Sequence, residues 1–184
     1  MKKKHLLIFA VINTGLIALI LFISSSPIAY SQSWKSDYDF VGKFSENLAK
    51  VKLDDKWGFV DKEGDIVIPF KYDAVNDFKN GAAKIKLNNK FGFIDKTGKE
   101  IVRIDYDDAY DFKEGVARVK KNNKFGFVDK TGKIVIPLNY DFANDFSGGM
   151  ARVRIKDEEI YIDKDGNQLE VEEDDDDDDY DEEE

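Results

Sequence analysis

Ala49-Lys50-Val51-Lys52-Leu53-Asp54-Asp55-Lys56-Trp57-Gly58-Phe59-Val60-Asp61-Lys62-Glu63-Gly64 is the stretch that decides the fold. Residues 49–53 alternate apolar and polar side chains with period two, the mark of a strand with one buried face. Asp54-Asp55 follow, and Asp tolerates the left-handed conformation that a two-residue hairpin turn requires. Residues 56–61 form a second strand, rich in aromatic and β-branched side chains. Residues 61–64 turn the chain again, with Gly64 where φ must be positive. Asp65-Ile66-Val67-Ile68-Pro69 supplies a third strand, which Pro69 is expected to end. Residues 72–81 then connect to the next copy.

The unit recurs. Tyr38, Tyr72, Tyr106 and Tyr140 stand 34 residues apart, as do Phe44, Phe78, Phe112 and Phe146, and Ala49, Ala83, Ala117 and Ala151. Four copies fill residues 38–71, 72–105, 106–139 and 140–169, approximately. A helical tetratricopeptide repeat has the same period, but the alternation here is two-residue and glycine or proline interrupts every potential helix. The chain is therefore all-β, each repeat a three-stranded antiparallel meander plus a connector. With Asn88-Asn89 as a two-residue turn, Lys86 faces Phe91, Ile85 faces Gly92 and Lys84 faces Phe93; a three-residue turn would exchange these partners. Both faces carry apolar residues, so units pack on both sides, as a stacked open array or as a four-bladed propeller-like ring. No strand in residues 32–37 completes the last unit, which favours the open array.

The repeats match a known pattern. Lys56-Trp57-Gly58-Phe59-Val60-Asp61-Lys62-Glu63-Gly64, with Ile66-Val67-Ile68-Pro69 and Tyr72-Asp73, closely resembles the WG-repeat (KWG) family. Residues 90–98 and 124–132 match with Phe91 and Phe125 in place of tryptophan. The fourth copy, Glu159-Ile160-Tyr161-Ile162-Asp163-Lys164-Asp165-Gly166, has lost both the aromatic and the glycine, and Arg103 replaces the proline found at Pro69 and Pro137. The resemblance implies a bacterial, often exported β-repeat module that serves in binding, with no catalytic residues to carry over. A degenerate last copy suits the end cap that repeat arrays need.

The two ends differ in character from the repeats. Lys2-Lys3-Lys4, an apolar run over residues 6–23 and Ser24-Ser25-Ser26-Pro27 form an export signal, with Ala29-Tyr30-Ser31 as a cleavage pattern. Residues 1–31 are thus a signal peptide or, if uncleaved, an anchor, and only then would the protein hold to a membrane. The repeats are exported in either case: periplasmic, at the cell surface or secreted. The 184-residue chain has a net charge of −10, yet residues 170–184 alone hold 13 carboxylates and no cation. Residues 32–169 are balanced, and the tail is expected to be a solvated, disordered extension.

Composition narrows the chemistry. The chain has no cysteine and one histidine, His5, inside the export signal. Disulfides, thiol nucleophiles, imidazole bases and most zinc sites are thereby excluded from the repeats. No enzyme activity, cofactor or metal site is expected. Asp61, Asp95, Asp129 and Asp163 each open a glycine turn and are expected to serve that turn.

Two sets of candidates remain. Lys50, Lys52, Lys84, Lys86, Arg118, Lys120, Arg152 and Arg154 occupy the outward positions of the first strands and form a candidate polyanion-binding lattice. Trp57, Phe91 and Phe125 recur at one position, as a stacking platform or, mainly, as structural filling between units. The expected function is a non-enzymatic exported scaffold binding another protein or a cell-surface polymer, with nucleic acid disfavoured by export and by the acidic tail. The tail would also reach the lattice in cis. The alternative is an anionic calcium-buffering protein, with the carboxylate tail taking the ion and the repeats as a stalk.

Overall fold

The computed structural model describes residues 33–170; the expected export signal and nearly all of the acidic tail lie outside them. After a short 3-10 turn at Ser33–Asp37 come sixteen strands in four antiparallel sheets of four. The first holds β1 (Phe40–Ser45), β2 (Leu48–Leu53), β3 (Lys56–Val60) and β4 (Ile66–Tyr72), paired in that order. The second holds β5 (Ala74–Val75), β6 (Ala83–Leu87), β7 (Lys90–Ile94) and β8 (Glu100–Tyr106). The third holds β9 (Asp108–Ala109), β10 (Val116–Lys121), β11 (Lys124–Asp129) and β12 (Ile134–Tyr140). The fourth holds β13 (Phe142–Ala143), β14 (Ala151–Ile155), β15 (Glu158–Ile162) and β16 (Gln168–Leu169). Among the described residues no helix is long and apolar enough to cross a membrane.

The meander is the expected one, and its register is that of the two-residue turn: Lys84 opposes Phe93, Ile85 opposes Gly92 and Lys86 opposes Phe91. Asn88 and Asn89 lie at φ 51° and 62°, and Asn122 and Asn123 at 52° and 62°, in the left-handed region such a turn needs. Two details differ from the sequence reading. The connector adds a fourth strand, because its two residues at the start of each later unit pair with the first long strand, as Ala74 does with Lys86. Pro69 also does not end its strand: β4 runs on until Tyr72 opposes Trp57, with the proline inside a register shift. A bulge has no ladder partner to lose, so it accepts proline.

That bulge explains the glycine of the repeat. A Cβ on Gly58, Gly92 or Gly126 would stand 2.5, 2.6 or 2.6 Å from the carbonyl oxygen of Ile68, Val102 or Ile136. In the fourth unit Ile160 replaces the glycine, and β16 is only two residues long, so no described strand crosses it.

Packing is sequential. Each sheet turns one face to the unit before it and the other to the unit after. Phe59, Ile68 and Tyr72 of the first unit bury against Val75, Phe78, Ile85 and Ile94 of the second. Phe93, Val102 and Tyr106 repeat this against Ala109, Phe112, Val119 and Val128, and Phe127 and Ile136 against Phe146, Val153 and Ile162. Each connector phenylalanine reaches back onto the preceding unit, with ring centroids 4.7 Å apart for Phe59–Phe78 and Phe93–Phe112 and 4.8 Å for Phe127–Phe146. Among the described residues no core cluster joins the first unit to the fourth, and the array is open and not a closed ring. On the other face of the first unit Trp34 and Tyr38 pack over Ala49, Val51 and Val60.

A recurrent carboxylate locks each hairpin. Asp73, Asp107 and Asp141 accept the turn N–H of Asn88, Asn122 and Lys156 at 2.7, 2.8 and 2.9 Å, and each also binds a lysine: Lys56, Lys90 or Lys124. The lysine first, and the turn amide second, hold these carboxyls below the ordinary aspartate range. Thr97, Thr131 and Asn167 side chains do the same for Asp95, Asp129 and Asp163. A depressed folded-state value means that the contribution is complete above the unfolded value of about 3.9 and is lost as pH falls through the lower, folded one. The thermal midpoint is therefore expected to fall steeply on acidification below about pH 4. A D73N/D107N/D141N variant should show a shallower fall. An identical acid limb in parent and variant would contradict this role for the three carboxylates.

Candidate functional site

The eight basic residues stand at two positions on the first long strand of each unit. Lys50, Lys84, Arg118 and Arg152 form an inner row; Lys52, Lys86, Lys120 and Arg154 form an outer row, one step nearer the hairpin turn. Period two puts both rows on the same face as Phe59, Phe93 and Phe127, since Lys50 opposes Phe59 and Lys52 opposes Trp57. That face meets the next unit. Alternation in the sequence identified the face but not what covers it, so the expected fully outward lattice is outward only in part.

The inner row is committed to the junctions. Lys50 pairs with Asp77 at 3.3 Å, and the Lys84 ammonium donates to the Ala109 carbonyl at 2.9 Å. Arg118 donates to the Ala143 carbonyl, stands 3.0 Å from Asp145 and lies 3.7 Å over the Tyr110 ring. Each of these polar contacts lands on the opening segment of the following unit. The Arg118 side chain is only 13% exposed, so its guanidinium acts as a bolt between units and not as a free cation. Arg152, in the fourth unit, pairs instead with Glu159 of its own hairpin at 3.1 Å.

In the outer row Arg154 is exposed and Lys52, Lys86 and Lys120 are half-buried, and three of the four rest on aromatic rings. Lys86 stands 5.4 Å over Phe91, Lys120 5.2 Å over Phe125 and Arg154 5.8 Å over Phe142. Lys52 departs, because Asp55 in its own turn binds it at 2.7 Å. Long basic side chains of this kind cover apolar surface with their aliphatic stems and keep the charge hydrated. The rings themselves are half-buried: Trp57, Phe91 and Phe125 each pack against the core cluster of their junction. Phe91 and Phe125 also lie under the outer cations Lys86 and Lys120. Stacked sheets lie about 10 Å apart, so successive outer cations stand about one Debye length apart at physiological salt.

The hairpin carboxylates temper this surface. Asp73, Asp107 and Asp141 feel Lys86, Lys120 and Arg154 respectively, as well as the lysines that bind them. Asp73 appears in the repeat pattern, but the sequence analysis gives these aspartates no role, although they recur at a spacing of 34 residues. Asp61, Asp95, Asp129 and Asp163 serve their turns: one oxygen of each accepts the N–H groups two and four residues on, as Asp61 does from Glu63 at 3.1 Å and Asp65 at 2.8 Å. Among the described residues, no group of three or more His, Cys, Asp or Glu side chains could hold a metal ion.

The comparisons bear on the fold. A family model described as "WG containing repeat" matches residues 35–57, 57–91, 91–125 and 125–158. No curated protein matches the chain. Among solved structures, a plant lectin with two metal-binding sites from Cicer arietinum is 14% identical, covering 72% of this chain and 90% of its own, with a TM-score of 0.28. A likeness that low carries no argument about fold, ligand or metal.

Proposed function

This chain belongs to the WG-containing repeat family, and from that premise we propose that it is a non-enzymatic, exported scaffold that binds an anionic surface polymer along its array. The observation that carries the reading is the outer row: Lys86, Lys120 and Arg154, each held over an aromatic ring and recurring from unit to unit. A repeat array presents such groups at a regular interval, so weak individual contacts to a polymer add up. The ring beneath each cation supplies an apolar edge against which a sugar face could rest. Catalysis finds less support, since equivalent carboxylates in four copies lack the unequal environments that acid and base roles need. The acidic segment 170–184 competes in cis for the same row and raises the polymer concentration needed for binding.

The test is a titration of the whole chain with polygalacturonate, with neutral dextran as control. The K86A/K120A/R154A variant is expected to bind about tenfold or more weakly, if each contact is worth about 0.5–1 kcal/mol. A chain lacking residues 171–184 should bind more tightly at low salt. Equal affinity of parent and triple variant would remove the row from the account, and polyglutamate binding as tightly as the sugar polymer would move the partner to an acidic protein segment.

A further inference from the structure

We propose that the cleft between the second and third units, at Arg103, Asp105 and Lys121, is a binding site for a small organic carboxylate with an apolar body. The argument starts from what repetition explains. A residue that recurs at 34-residue spacing has an architectural reason; a residue that departs from its copies at one place needs a local one. Arg103 stands where the other units have Pro69 and Pro137, Asp105 where they have Lys71 and Asn139, and Lys121 where they have Leu53, Leu87 and Ile155. These three departures lie in two different units and far apart in sequence. The fold brings them to one cleft of about 370 Å³, whose remaining lining is Tyr106, Gly132, Ile134 and Leu138.

Charge in the cleft does not cancel. Lys121 hydrogen-bonds Asp105, so these two exchanges answer each other. Arg103 is left over: it makes no hydrogen bond or ion pair with another described residue. Its guanidinium is exposed at the cleft and feels Asp105 only through space. A planar guanidinium without a partner favours a carboxylate, which it can grip with two parallel hydrogen bonds. The opposite wall is apolar: Ile134 is 47% exposed and Leu138 half-buried. The floor is closed by backbone, since a Cβ on Gly132 would come within 2.4 Å of the Ile101 carbonyl oxygen. One cation, an apolar wall and a tyrosine edge in a cleft of this volume fit a compact anion and not a long chain. The site does not use the outer row and stands or falls separately from the polymer reading.

The test follows isocaproate binding to the whole chain by amide chemical shifts, with isocaproamide as the uncharged isostere. Saturable shifts are expected at residues 103, 105, 121, 134 and 138 with isocaproate and not with the amide. Arg103→Pro, which restores the residue of the sister units, should weaken binding by about tenfold or more, the loss expected for a hydrogen-bonded charge pair. Arg103→Gln, which keeps the backbone N–H and removes the charge, should do the same if the proline variant folds poorly. Shifts that rise linearly and spread over the whole basic surface would overturn the proposal. So would equal binding of the amide, or unchanged affinity in Arg103→Gln.

Discussion

Replacing Phe93 by alanine is expected to cost about 3–5 kcal/mol and to split the unfolding of the array in two. The Phe93 ring is 2% exposed and meets Phe112 of the next unit at 4.7 Å. It belongs to the cluster that joins the second and third units, where Val102 and Tyr106 pack beside it against Ala109, Phe112, Val119 and Val128. In a quasi-one-dimensional array, stability is a sum of unit terms and neighbour terms. Removing one neighbour term leaves two blocks that unfold separately. The chain contains its own reporter for this, because Trp57 lies in the first unit and Trp34, the other tryptophan, packs on it. In the parent, urea transitions followed by tryptophan fluorescence and by circular dichroism should coincide. In Phe93→Ala they should separate, with the third and fourth units melting first. Coincident transitions at an unchanged midpoint would mean that the units are not coupled through this ring.

Gly92→Ala is the second large effect. The added Cβ would lie 2.6 Å from the Val102 carbonyl oxygen and 2.8 Å from that of Arg103. Neither atom is the movable end of a side chain, so β8 must shift and carry its bulge with it. A cost of about 3 kcal/mol, the upper part of the overpacking range, is expected, and the denaturation midpoint measures it. The fourth unit supplies a natural control: Ile160 occupies the same position where no described strand crosses it. A Gly92→Ala midpoint within error of the parent would show that the close approach is not what selects glycine.

Much of this is legible in the sequence alone. Strand alternation, Asn88-Asn89 in a two-residue turn and the opposition of Lys86 to Phe91 are local consequences of period and turn chemistry, and the sheets follow them. The departures are non-local. Pro69 looked like a strand end because proline removes a ladder donor, and only the bulge in β4 shows why the strand continues. Arg118 looked exposed because its neighbours Ala117 and Val119 face the other way. The face it occupies is covered by the fourth unit, to which its guanidinium is bonded. Asp107 drew no notice among many aspartates, since its partners lie 15 and 17 residues away, at Asn122 and Lys90. Of the candidate site, composition identified the cations and repetition identified the aromatics. Sorting the cations into junction contacts (Lys50, Lys84 and Arg118), side chains paired within their own unit (Lys52 and Arg152) and three over aromatic rings (Lys86, Lys120 and Arg154) required knowing which face of each sheet its neighbour covers.

The most direct test of the account is an amide hydrogen-exchange footprint of the whole chain with and without saturating polygalacturonate. Binding along the outer row predicts slowed exchange at residues 86–88, 120–122 and 154–156, repeating from the second unit to the fourth, and little change at the inter-unit turns 79–82 and 113–116. Protection confined to those turns, or no protection beside measurable binding, would contradict it.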